Sequence, residues 1–234
     1  MIKSLTGWRG FFVMCIVGYH EHISLFSQSN LGVSFFFVVS GFLIALKYDR
    51  QPITLARYGQ TLKRRLAKIL PEHWLALACI LFFNIVIQHK AIDWKILLTH
   101  VFLVQSWVPD LHYYFTLNSV SWFLGNLIFC YLCWPLLARF FVPLRTRWQV
   151  AIIATWWVIA VALNDPSIRI YTYVSPLTRL GDFVLGIATA SLVKAMPKPR
   201  LNANVMELAV VVVIIVIALL NTFTPLRQWE DYLS

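Results

Sequence analysis

Charge is scarce in this sequence. Asp, Glu, Lys and Arg make up 13% of the 234 residues, against about a quarter in soluble domains. A chain with so few charges cannot cover a water-facing surface, which excludes an ordinary soluble domain. Acidic residues are the scarcest, 10 against 20 basic ones, giving a net charge of +10. Cysteine is rare too. Cys15, Cys79, Cys130 and Cys133 all fall inside apolar runs. Cys130 and Cys133 form a C-x-x-C with no second Cys or His pair nearby, so packing in lipid is favoured over a redox or zinc motif, and no metal is expected. Internal repeats and low-complexity tracts are absent. The first apolar run is too long for a signal peptide and lacks a small-residue cleavage site, so it reads as a retained span.

What the chain has in abundance is apolar. Hydrophobic residues reach 59% and the mean hydropathy is +0.71. Several runs meet the roughly 20 residues a helix needs to cross a bilayer. The expected fold is all-α, a polytopic transmembrane helical bundle of about seven spans. Helices are predicted at 8–26, 31–48, 73–88, 119–140, 148–164, 176–194 and 205–221. The segment 94–107 is short and apolar on one side, which predicts a re-entrant or interfacial helix. Over 53–70, Leu55, Leu62, Leu66, Ile69 and Leu70 recur at helical spacing, with Arg57, Lys63, Arg64, Arg65 and Lys68 on the other side. That pattern predicts a basic amphipathic helix lying on the inner membrane face. Taken alone, it favours attraction to anionic lipid over binding of a phosphorylated ligand.

The placement of basic residues orients the bundle. With a cytoplasmic N-terminus, the inner segments hold Lys3 and Arg9, the cluster from Lys47 to Lys68, Arg139, Arg145 and Arg147, and Lys194, Lys198 and Arg200. The outer segments hold only Lys90, Lys95, Arg169 and Arg227, while Arg179 lies within a span. This skew is the one cytoplasmic loops show. It predicts a multi-pass protein of the cell (inner) membrane. In a soluble chain the positive charge would point to nucleic acid. Here topology accounts for it, and no nucleic-acid partner is expected.

Intramembrane charges are costly and mark function. Arg9 and His20 are eleven residues apart on the first helix, about 20° past three full turns, so both project from one face. They stand about 16 Å apart along the axis and could hold the two ends of one long molecule. His20 can exchange a proton near neutral pH, and burial favours the neutral form that a general base needs. Packing against a backbone carbonyl is an equally weighted role for it. Glu21 and His22 point to other faces. Arg179 and Asp182 sit i,i+3 on one helix face, where a self-neutralising structural pair is favoured over direct catalysis. Asn118 and Trp122 open the fourth span near the outer interface, where Trp is often an anchor.

Five motifs in order give a family resemblance. They are Arg9-Gly10 with His20; Gly32-Val33-Ser34-Phe35-Phe36-Phe37 running to Ser40-Gly41-Phe42; Arg64-Arg65 with Lys68 and Pro71 to Trp74; Trp122-Phe123-Leu124 with Tyr131 and Pro135; and Arg179-x-x-Asp182-Phe183-x-x-Gly186. The chain resembles the membrane acyltransferases called acyltransferase family 3, which include O-antigen, Nod-factor and macrolide acyltransferases. The resemblance implies a single acyltransferase-like domain over 1–234. It implies transfer of an acyl group, usually acetyl, from a coenzyme A thioester at the cytoplasmic face to a hydroxyl of an envelope or exported glycan. Arg9, Arg64, Arg65 and Lys68 would meet the phosphates of acetyl-CoA. His20 would be the general base, and Ser40, Trp122, Arg179 and Asp182 would support the site. Three departures stand out. Lys68 replaces an expected arginine and loses its fork geometry. Leu127 stands where many relatives have glutamate. Family domains usually carry more spans than the seven read here, so the chain is expected to lack C-terminal ones.

Two other function classes fit parts of the pattern. A carrier or flippase for a lipid-linked sugar or small acid also uses intramembrane Arg, His and Asp, although paired Gly/Pro-interrupted helices in repeated halves are not visible. An inactive truncated relative, acting as an assembly subunit, fits the short length. The acceptor pocket is expected among outer loops, such as 109–118 and 164–175.

Overall fold

In the computed structural model, residues 3–21, 29–48, 54–162 and 169–195 are described, and every regular element among them is helical. Contacts group the chain into two compact units. One comprises Met1–Val33 with Lys194–Ser234, the other Ser34–Val193.

The first unit holds α1 (Lys3–His20) and the opening turns of α2 (Ser29–Lys47). Gly32 lets α2 approach α1 here. A Cβ at Gly32 would lie 3.2 Å from the Ile16 side chain and 3.4 Å from the Phe12 carbonyl oxygen. Small residues are how membrane helices come close. The predicted first span ran to residue 26, and its last part (22–28) lies outside the described residues. So does the predicted span 205–221.

The second unit is organised around α3 (Leu55–Phe82). Thr54 caps its start, its side chain accepting from the Arg57 N–H. The sequence predicted two elements here, a surface helix ending near 70 and a span starting at 73. The structure has one continuous helix of 28 residues, and the basic stretch is its first half. Pro71 falls in the gap between the two predicted elements, and a proline removes one helical hydrogen bond. The carbonyl it frees belongs to Ala67, and Ala67 and Pro71 are both exposed, so no packed neighbour opposes the irregularity. At about 42 Å, the helix is longer than a hydrocarbon core of about 30 Å. One π-helical turn, Phe83–Ile87, extends it.

Next comes α4 (Trp94–Val101), capped by the Asp93 side chain. Its eight residues rise about 12 Å, too little to cross a membrane. Phe102 and Leu103 turn the chain, Leu103 at φ 57°, into a 3-10 turn at Gln105–Trp107. The short α5 (Leu111–Phe115) follows. Leu77 of α3, Ile96 of α4 and Leu117 form a buried cluster that seats these pieces on α3. Then come α6 (Trp122–Phe140), α7 (Thr146–Ala162), α8 (Arg169–Val174) and α9 (Pro176–Ala195).

Among the described residues, three helices are long and apolar enough to cross a membrane, within Ala56–Ile87, Trp122–Phe140 and Pro176–Ala195. Shorter apolar helices run over Gly7–Gly18 and Gly32–Lys47. Large apolar side chains face outward, Leu75 at 68% exposure and Leu136 and Phe140 at 63% on these helices, and Val158 at 68% on α7. Water would penalise this surface, whereas lipid accepts it.

Candidate active site

The predicted site residues fall in both units. Arg9 and His20 lie on α1, near its start and at its end. Arg9 is half-buried, and the Trp8, Phe11 and Phe12 rings of the same helix pack against one another. The Nε of Arg9 is buried and has no hydrogen-bond partner among the described residues. His20 is exposed.

In the second unit the basic face of α3 is built on aromatic rings. Arg65 lies 4.3 Å over the ring of Tyr131 from α6. Such stacking fixes a guanidinium while leaving its edge free to donate. Tyr131 is itself anchored, its backbone carbonyl accepting from the buried Tyr58 hydroxyl. Arg64 and Lys68 are exposed on the same helix, and Lys68 stands three residues from Arg65 and four from Arg64, so it neighbours each of them on the helix surface.

Sequence reasoning treated Lys47 as a topological charge only. The structure brings it to this face. Its Nζ donates to Thr61 Oγ1 at 3.3 Å, beside a 2.6 Å hydrogen bond from the Tyr48 hydroxyl to the same oxygen. The charges of Arg65, Arg64 and Arg57 all act on Lys47. Four like charges held together repel one another, and an anion would relieve that repulsion. The only signal in the sequence was the density of basic residues from 47 to 68.

Trp122, Arg179 and Asp182 are brought together. Arg179 is 5% exposed and Asp182 1%. Arg179 Nη1 donates to Asp182 Oδ2 at 2.7 Å and to Ser34 Oγ at 2.9 Å, and its Nε donates to the Tyr173 carbonyl at 2.8 Å. Its guanidinium lies 4.5 Å from the Tyr173 ring centre and 6.0 Å from that of Trp122. One side chain thus ties α9 to α2, α6 and α8. Satisfying so many donors is what makes a buried charge tolerable.

Ser40 is buried, one residue before a close helix crossing. A Cβ at Gly41 would lie 2.0 Å from the Phe183 carbonyl oxygen, and one at Gly186 1.9 Å from that of Val38. The two glycines of the second and fifth motifs therefore let α2 and α9 touch backbone to backbone. Asn126 was missed by sequence reasoning. Fully buried, it accepts from Ser106 Oγ and donates to the Val174 carbonyl, both at 2.7 Å. No three His, Cys, Asp or Glu side chains group as a metal site among the described residues.

Comparison with known proteins follows the same lines. A family model described as an acyltransferase domain matches residues 2–232. The chain is 29% identical to the acyltransferase MdmB of Streptomyces mycarofaciens, over 64% of this chain and 43% of that protein. It is 25% identical to the putative peptidoglycan O-acetyltransferase YrhL of Bacillus subtilis, over 87% of this chain and 34% of the other. It is 30% identical to the O-acetyltransferase OatA of Staphylococcus aureus, over 45% of this chain and 18% of that one. The chain thus spans less than half the length of each of these relatives. No solved structure matches.

Proposed function

The chain belongs to the acyltransferase family whose model spans it, and on that premise we propose that it carries an acyl group, acetyl in the first instance, from a coenzyme A thioester to a glycan hydroxyl. The observation that carries this is the cationic face of α3, where Arg65 is stacked on Tyr131 and Lys47 joins Arg57 and Arg64. Arg64, Arg65 and Lys68 bind the donor's phosphates, and Arg65 suits them best because its planar fork donates in pairs. The excess of basic residues in this stretch supports a cytoplasmic placement for that face, in the inner membrane.

His20 is the general base. Its imidazole takes the proton of the acceptor hydroxyl as the oxygen attacks the thioester carbonyl. The C–S bond breaks, and the coenzyme A thiolate leaves with the proton returned to it. Arg179 and Asp182 act through Trp122 and Tyr173 to position the helices, with Ser40 at the same crossing. The similarity to O-acetyltransferases, one of them named for peptidoglycan, supports a hydroxyl of an envelope glycan as the acceptor.

The test uses purified full-length chain in lipid nanodiscs, given labelled acetyl-CoA and glycan fragments. Transfer is expected from the wild type and lost by at least about a hundredfold in His20→Ala, the usual range for a removed general base. Undiminished transfer by His20→Ala would remove that residue from the mechanism. Uptake of sugar without covalent product would identify a carrier instead.

A further inference from the structure

The two ends of α3 carry opposite kinds of surface. Arg65 and Asn84 are separated by 19 residues, about 28 Å of helix, close to a hydrocarbon thickness of about 30 Å. At the far end from the cationic face, the π turn, the loop 88–93 and α5 enclose a cleft of about 200 Å³. π turns recur at functional sites, and this one holds the loop, the Asn84 carbonyl accepting from the Lys90 N–H at 2.9 Å.

The polar wall of the cleft is Asn84, Lys90, Asp93, His112 and Thr116. Its floor includes Ile96 and Leu117, both buried. The wall holds one ammonium and one carboxylate, so it has no net preference for an anion. Two hydrogen bonds decide what each group offers. Thr116 Oγ1 engages both the His112 carbonyl and, at 3.0 Å, His112 Nδ1, so Nε2 is the ring nitrogen with no partner among the described hydrogen bonds. Asp93 spends Oδ1 on the Lys95 N–H at 2.8 Å, and its second oxygen is uncommitted among the described hydrogen bonds. The cleft therefore presents an imidazole nitrogen, a carboxylate oxygen, one ammonium donor, and an amide that both donates and accepts, over an apolar floor. Alternating donors and acceptors above an apolar surface suit a polyhydroxylated ring, whose hydroxyls both give and take protons while its C–H face is apolar. A phosphate would instead need the unpaired cations found at the other end of α3.

We infer that this cleft is a saccharide-binding subsite that holds one pyranose ring of the acceptor glycan. The inference rests on the acyl-transfer function proposed above. The subsite sets acceptor specificity and touches no reacting atom.

Saturation-transfer NMR on the full chain in nanodiscs tests it, with tetra-N-acetylchitotetraose, cellotetraose and maltotetraose as probes. At least one saccharide should receive saturation from the wild type. Asn84→Ala/His112→Ala should bind it about tenfold more weakly, as two lost hydrogen bonds imply, with an unchanged melting temperature. Asp93→Asn, which keeps the oxygen that caps α4, should weaken binding severalfold without unfolding. Equal binding by all variants, no saturation for any probe, displacement by inorganic phosphate, or loss of the signal when phosphatidylglycerol is added would each overturn the subsite. Transfer assays run in parallel separate the two proposals. If the wild type transfers acetyl and the variants keep the same acceptor KM, the subsite fails and the function stands. If sugar binds as described but no acyl group moves, the function fails and the cleft remains a sugar site. A severalfold rise in acceptor KM at unchanged kcat supports both.

Discussion

Gly41 on α2 and Gly186 on α9 each press against the other helix's backbone, leaving no room for a Cβ at either position. Alanine at Gly186 would place a methyl group 1.9 Å from the Val38 carbonyl oxygen, and backbone cannot rotate away as a side chain can. The helices must separate, at a cost of about 1–3 kcal/mol or more. Thermal unfolding in detergent should show a clear drop for Gly186→Ala, and a comparable one for Gly41→Ala. Gly59, where nothing lies within 4 Å of a Cβ, should accept alanine without loss. A Gly186→Ala melting temperature equal to the wild type's would show that the crossing is not closed in the membrane.

The Arg179–Asp182 pair gives an asymmetric prediction. Removing one partner leaves the other charged, buried and unpaired, so Arg179→Met or Asp182→Leu alone should cost about 3–5 kcal/mol. The double variant should recover much of that, because an apolar pair of similar size suits a buried site. A double-mutant cycle checks this. Additive losses would mean that the two side chains do not act as a unit.

Arg65 and Tyr131 separate charge from geometry. Arg65→Ala should raise the KM for acetyl-CoA about tenfold or more, since charge-assisted phosphate contacts are strong. Tyr131→Leu keeps every charge but removes the ring beneath the guanidinium. It should raise the same KM only severalfold, matching a cation–π term of about 0.5–1 kcal/mol. Lys47→Gln should lower the salt dependence of donor binding. Equal donor affinity in all three would move the donor site away from this face.

His100 makes stability depend on pH. It is fully buried on the non-spanning α4. Burial pulls its pKa below the ordinary 6.5, the Ile96 carbonyl opposes this, and neighbouring His73 adds to the lowering. A depressed imidazole means that the folded state prefers it neutral. Its contribution is therefore complete above pH 6.5 and is lost as acid protonates the unfolded chain first and then the folded one. The melting temperature should fall as the pH drops below 6.5, and His100→Gln should flatten that slope. Identical slopes would show that other groups govern the acid response.

Different parts of the molecule were legible to different degrees. Helices α2, α6, α7 and α9 came out within three residues of their predicted bounds. Long apolar runs leave the backbone no partner but itself, and that constraint is local. The break expected near Pro71 did not occur, because a proline's cost depends on whether its freed carbonyl is opposed by packing, and sequence does not show which face is exposed. The non-spanning character of 94–107 was legible from length alone. Its positive-φ turn at Leu103 was not, because a left-handed leucine is held there by packing. A Cβ at Gly125 of α6 would lie 2.2 Å from the Leu103 carbonyl oxygen.

The site divides in the same way. Composition and the length of the apolar runs determined by themselves that this chain is built for lipid, and the basic pattern of 53–70 marked where its positive charge gathers. Tertiary structure alone decided which charges meet. It joined Lys47 to Arg57, Arg64 and Arg65, seated Arg65 on Tyr131, and tied Arg179 to Ser34 and Tyr173 as well as to Asp182. The physical reason is range. Hydrophobic periodicity and helical spacing act within a few turns, whereas the pairing of charges depends on which helices touch, and for α2 and α9 that contact is closed at two glycines 145 residues apart.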